Sequence, residues 1–408
     1  MLYSEKELKE YTKDAGTLRQ LMIDARKKVM TSNQVLFGNS SIEKGFVDLM
    51  DENNTESLKD LAGGISASIA MKKIIGDGKP TVYMTGNVWP KDVEKFRVSA
   101  YGFEDYNSAD VIVTTDKKMF YGVSLKKKRK SNAGEPTLIN KAFDSVLDGK
   151  QFDDIKEQLV KIRIEYFSSL VIEAVKNGLI LKEHIKDFDS LVRTTQGRKE
   201  LFEAKKKDTK LFGKKSYIDT KGSAKMKKGY LDEDTRNVNS MRYFVNKKLA
   251  EKNNPLFNAF IEVMNEHADE FSDTLINIIL KTKLFEELNA KDLENYKFGF
   301  YLVTGVGDVS SKGVVDVGKA SVIPLETTLC GLTRIREKFK NQKPKIVVDE
   351  QKKGKTDAAK VFLQLKQGDV TLLDLEIRYK GAFTPQPQFQ GTLNIQFKHL
   401  LEEECGIK

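Results

Sequence analysis

The chain has 408 residues, of which 39% are hydrophobic and 31% charged, and its formal net charge is +10. That length exceeds one ordinary domain and allows two, or one core with a large insertion. No apolar run approaches the ~20 residues of a membrane helix, and Cys330 and Cys405 lie far apart without metal-ligand spacing, so the composition excludes a membrane span, a disulfide framework and a zinc site.

The N-terminal residues Met1-Leu-Tyr-Ser-Glu-Lys mix acids with bases and lack an apolar signal core, so the expected location is the cytoplasm. Leu8, Tyr11, Ala15, Leu18, Met22, Ala25 and Val29 recur at three- and four-residue spacing, which predicts one amphipathic helix ending before Ser32. A second helix is expected from Ser41, carrying Glu43 and Asp48. The stretch from Leu58 to Ile75 is helical but built of small residues around Gly63-Gly64, so it should pack closely on a neighbour; Gly76-Asp-Gly-Lys-Pro80 then breaks it.

Strand character starts at Thr81–Thr85 and returns at Val111–Thr114 and Phe120–Leu125, the last two joined as a hairpin by Thr115-Asp-Lys-Lys118. Lys91–Phe96 reads as a short helix or turn after Trp89-Pro90. Residues 141 to 290 are mainly helical, with good stretches at Phe152–Gly178 and Leu256–Leu288. After Lys297 the period becomes strand-like at Phe298–Thr304, Val314–Ile323, Val361–Leu365 and Thr371–Tyr379, with a helix expected at Leu325–Lys340. The chain therefore reads as mixed α/β (α+β) in three parts: 1–145 with N-terminal helices and the hairpin, 146–295 as a helical insertion, and 296–408 as a β-rich C-terminal part that completes the core or forms a second domain.

Positive charge is concentrated rather than spread. Residues 198 to 228 hold twelve lysines and arginines against four acids, a composition that suits a polyanion or a solvated linker. Lys126-Lys127-Lys128-Arg129-Lys130 follows the second hairpin strand directly.

The hairpin also carries reactive groups. Asp110 stands at the start of one strand and Lys126 at the end of the next, so the two should lie near each other across the ladder, with Ser124 and Lys126 on one face. Hydrolysis of a phosphodiester needs a divalent metal on hard oxygen ligands and a cation near the attacking water, which a strand-borne carboxylate and a lysine can serve.

This arrangement resembles the PD-(D/E)XK nuclease superfamily, in which a strand Asp is followed by an acid, one spacer and a lysine. Here the pattern is Asp110, then Ser124-Leu125-Lys126. The continuation Gly134-Glu-Pro136-Thr137-Leu138-Ile139-Asn140 is similar to that of type II restriction endonucleases with a serine in the acid's place. The resemblance covers roughly residues 80 to 145. It implies a restriction-endonuclease-like core sheet flanked by helices and Mg²⁺-dependent (or Mn²⁺-dependent) DNA cleavage. Asp110 would hold the metal, Ser124 would replace the second acid, and Lys126 would orient the water. Because serine is a poorer ligand than a carboxylate, a further acid is expected from Glu43, Glu104, Asp105 or Glu135. Glu43 is preferred, since an acid on an N-terminal helix often completes such sites in that superfamily. Lys127, Lys128, Arg129, Lys130, Thr137 and Asn140 would contact DNA, and a twofold homodimer would suit cutting of both strands.

In Asp374-Leu-Glu-Ile-Arg378-Tyr-Lys380, the polar residues alternate with apolar ones, and Gln386 and Gln388 follow. Arg378, Lys380, Gln386 and Gln388 suit phosphate and base contacts, while an amphipathic edge strand is the plainer reading. This block is similar to C-terminal segments of uncharacterised proteins of large tailed bacteriophages. That similarity raises the alternative of an inactive nuclease-fold DNA-binding or virion structural protein whose partners are phage particle components. Gly305-Val-Gly-Asp-Val-Ser-Ser-Lys312 lacks P-loop spacing, and His184, His267 and His399 are isolated in sequence, so neither phosphate-loop nor nucleophilic-triad chemistry is indicated.

Overall fold

The computed structural model describes residues 3–99, 107, 109–133, 136–142, 146–147, 149–177, 243–244, 247–248, 251, 254–290, 295–349, 360–379 and 387–405. In chain order the first part holds α1 (Glu5–Tyr11), α2 (Ala15–Thr31), β1 (Val35–Phe37), α3 (Ser40–Leu49), α4 (Thr55–Ile75), β2 (Thr81–Met84), a 3₁₀ turn (Lys91–Phe96), β3 (Val111–Thr114) and β4 (Met119–Lys128). The middle holds β5 (Ile139–Ala142), α5 (Asp153–Lys176), α6 (Pro255–Glu266), α7 (Ala268–Leu280) and α8 (Thr282–Ala290). There follow β6 (Lys297–Val309), β7 (Val315–Val317), β8 (Ser321–Pro324), α9 (Leu325–Lys338), β9 (Lys345–Val348), β10 (Lys360–Gln367), β11 (Val370–Tyr379), β12 (Pro387–Leu393) and α10 (Ile395–Glu404). The protein is of mixed α/β class, as its sequence indicates.

Two compact units interleave along the chain: Met1–Pro136 with Leu280–Lys338 and Lys398–Lys408, and Thr137–Ile279 with Phe339–Phe397. No helix among the described residues is long and apolar enough to cross a membrane.

The first unit is built on a seven-stranded mixed sheet. β1 runs parallel to β2, β2–β3–β4 form an antiparallel meander, and β4 runs parallel to β6, whose far side pairs with β8 and then β7. A parallel neighbour cannot follow a tight turn, so the chain between β4 and β6 is a long connection, and it carries most of the second unit.

The single N-terminal helix expected from the apolar spacing is two helices. Asp14 is the reason: its carboxylate accepts the Thr17 N–H at 2.9 Å while Thr17 Oγ1 accepts the Asp14 N–H at 3.2 Å, a reciprocal cap that starts α2 afresh. The apolar stripe survives the break, because Leu8, Ala15, Leu18 and Met22 share one core cluster with Leu58, Ala62 and Ile65 of α4.

α4 lies on β6 at backbone contact. A Cβ added at Gly305 would strike the Gly63 carbonyl, and one at Gly307 the Gly63 amide, so glycine is required on the strand for the helix to come this close. Ser66 Oγ accepts the Val306 N–H at 3.1 Å, satisfying a strand donor between the segments paired with β8 and β7. Ala67 and Met71 pack on Val123 and Val303, which fixes α4 on that face of the sheet.

The second unit holds a five-stranded antiparallel sheet in the order β5-β12-β11-β10-β9. Along β11, Leu373, Leu375 and Ile377 are buried while Asp374 and Glu376 are half-buried, the alternation read from the sequence.

Candidate active site

The β3–β4 hairpin owes its register to its turn. Asp116 accepts the main-chain N–H of Lys118 at 2.8 Å and of Met119 at 2.9 Å, Thr114 Oγ1 accepts the Lys117 N–H at 2.9 Å, and Lys117 takes a left-handed φ of 58° to close the loop. The pairs Val113↔Tyr121, Ile112↔Gly122 and Val111↔Val123 follow.

Just beyond the last pair, Asp110 brackets Ser124. Its N–H donates to the Val123 carbonyl at 2.8 Å, and its Oδ2 accepts the Leu125 N–H at 2.5 Å, so a side chain takes over where main-chain pairing between the strands stops. Ser124 is buried and Lys126 half-buried, two positions apart on the face of β4 that also carries Phe120 and Gly122. The expected proximity of Asp110, Ser124 and Lys126 is thus produced by one hairpin.

Asp110 is exposed as a residue, yet protein crowds its carboxyl. This partial burial pushes its carboxyl above the usual range, opposed by the Leu125 N–H, then by Lys126, then by Lys281. Lys281 is absent from the sequence expectations and comes from the joint between α7 and α8. Its φ is 54°, and its Nζ lies 5.4 Å from the ring centroid of Phe300. Phe300 pairs with Gly122, and its Cδ2 lies 3.1 Å from where a Gly122 Cβ would stand, so Lys281 is on the Ser124 face of the sheet.

Glu43 lies in the first turn of α3 and is half-buried. α3 approaches the end of β2, where Ile42 Cδ1 is 3.6 Å from a Cβ placed on Gly86, and the adjacent Thr85 hydroxyl donates to the Ala109 carbonyl. Glu43 is not among the groups that act on the Asp110 carboxyl. Glu104, Asp105 and Glu135 lie outside the described residues. Among the described residues no group of three or more His, Cys, Asp or Glu could hold a metal ion. Among the described residues no second carboxylate acts on that of Asp110; Mg²⁺ takes one or two carboxylates and fills its remaining positions with phosphate and water oxygens, so Asp110 would hold the ion only together with a phosphate.

The cationic run divides by strand parity. Lys127 pairs with Asp60 of α4, and Arg129 Nη2 lies 3.2 Å from Glu56 of the same helix. Lys126 and Lys128 alternate with them and belong to the Ser124 face, while Lys130 is exposed past the strand end. Thr137 and Asn140 belong to the second unit, where Asn140 Oδ1 accepts from Gln390 Nε2 at 3.2 Å. Arg378 of β11 and Gln388 of β12 are direct register partners there. Lys380, Gln386 and the lysine-rich stretch 198–228 lie outside the described residues.

Compared with known proteins, this chain matches no family model, no curated protein and no solved structure.

Proposed function

We propose that the protein is a metal-dependent DNA endonuclease of the PD-(D/E)XK type. The observation that carries this reading is the bracketing of Ser124 by Asp110, with Lys126 two residues on and acting on the same carboxyl. Main-chain hydrogen bonds fix the carboxylate of Asp110 beside the backbone that carries Lys126, and placement of charge is what phosphodiester hydrolysis requires.

In this reading Asp110 holds a Mg²⁺ or Mn²⁺ ion, which supplies Lewis acidity toward the phosphate and lowers the pKa of water. Lys126 sets its ammonium against the negative charge that develops on the phosphate oxygens. Ser124, which is buried, contributes a hydroxyl where a second acid would otherwise stand. Lys128 extends the cationic row along the DNA backbone.

A second reading is a DNA-binding protein without catalysis, or a virion structural protein. It is favoured by the lack, among the described residues, of a second carboxylate acting on that of Asp110 or of a group of three or more metal-ligating side chains. DNA cleavage with and without divalent metal, compared with Asp110→Ala and Lys126→Ala, separates the two.

A further inference from the structure

We propose that Lys281 is a second phosphate-gripping cation of the Asp110 site, acting with Lys126 on the DNA strand to be cut. The proposal rests on the nuclease reading above.

Lys281 is the one residue between the end of α7 at Leu280 and the start of α8 at Thr282, and its φ of 54° is left-handed. L side chains adopt that conformation at a cost that glycine avoids, and asparagine and aspartate tolerate it best among the others. The joint sends the lysine to the working face. Its Nζ sits 5.4 Å from the Phe300 ring, beside Gly122, two residues before Ser124 and four before Lys126 on the same strand face. Lys281 from the α7–α8 joint and Lys126 from β4 therefore stand on one face of the sheet, two cations from different elements.

Lys117 provides a matched comparison. It too has a left-handed φ, of 58°, but it is exposed in the turn at the opposite end of the same hairpin. Replacing either lysine by glycine removes one charge and relieves the same kind of backbone strain.

The test is binding of a short DNA duplex to the full-length chain in EDTA, followed by fluorescence anisotropy across a range of salt. Lys281→Gly should melt no lower than the wild type, bind about tenfold more weakly at moderate salt, and flatten the log–log salt dependence by about 0.9. Lys281→Arg should keep the wild-type slope, and Lys117→Gly should bind within about twofold of wild type. If Lys281→Gly melts below the wild type, Lys281→Asn, which is neutral and tolerates the left-handed region, takes its place in the same comparison. Wild-type affinity and slope in the neutral variant, or an equal loss in Lys117→Gly, overturns the role of Lys281 alone. A wild-type chain that binds no DNA at any salt overturns the nuclease reading, and the proposal with it.

Discussion

Asp110 Oδ2 accepts the main-chain N–H of Leu125 at 2.5 Å, so the acid is anchored to the peptide immediately before Lys126 rather than to another side chain. The anchor makes the position of the carboxylate beside the Lys126 backbone a property of the hairpin. It also holds a carboxyl in a crowded place, where burial raises its pKa more than Leu125, Lys126 and Lys281 lower it.

That balance sets a pH dependence. A carboxyl raised in the folded state means that the native protein binds the proton more tightly than the unfolded chain does. Its contribution to stability is fully present below the unfolded value and is lost as pH rises through the folded one. At neutral pH the ionised Asp110 is therefore a net cost. Asp110→Asn, whose Oδ1 can still accept from Leu125, should raise Tm at neutral pH in EDTA, and the gain should vanish below the ordinary aspartate range. Thermal melts of the two proteins from acid to neutral pH check this, and an unchanged or lower Tm at neutral pH contradicts it.

The contact between α4 and β6 is equally specific. Gly305→Ala places a methyl group against the Gly63 carbonyl, which is backbone and cannot swing aside. The helix must shift off the strand, at a cost of about 1–3 kcal/mol or more. Gly64→Ala is the control, since nothing lies within 4 Å of its added Cβ, and its greater helix propensity should leave stability equal or improved. Urea denaturation of both variants tests the pair.

Local pattern made much of the first unit legible. The small residues around Gly63 announced a close approach, and the period-two segments on either side of Thr115–Lys118 announced the hairpin that joins Asp110 to Lys126. Asp14 was hidden because the apolar spacing of α1 and α2 stays in phase across the break, leaving only the capping chemistry to mark it. β1, three residues long, is too short to carry a period. Thr137–Asn140 follows the site closely in sequence, but Asn140 pairs with Gln390, a partner no local pattern can supply. Lys281 was hidden for the same reason: its place near Asp110 comes from chain that leaves the sheet after β4 and returns before β6.

Strand parity yields a contrast within the cationic run. Lys127 and Arg129 lie on the α4 side of the strand, where they meet Asp60 and Glu56, and Lys126 and Lys128 lie on the other face, with Ser124. Lys126→Ala and Lys128→Ala should each weaken DNA binding and flatten its salt dependence by about 0.9, and Lys127→Ala and Arg129→Ala should do so less. Because the Lys127 and Arg129 pairs are solvent-exposed, losing either should leave stability almost unchanged. Anisotropy titrations of the four variants decide it, and equal losses across all four would contradict a division by face.

The most direct measurement is cleavage of supercoiled plasmid and linear DNA by the purified full-length chain, with EDTA, Mg²⁺ or Mn²⁺, beside Asp110→Ala and Lys126→Ala. The expected result is metal-dependent nicking or linearisation that both substitutions abolish while the variants remain folded and still bind DNA. DNA retained but uncut in every metal, or cutting that survives Asp110→Ala, would contradict a nuclease centred on Asp110.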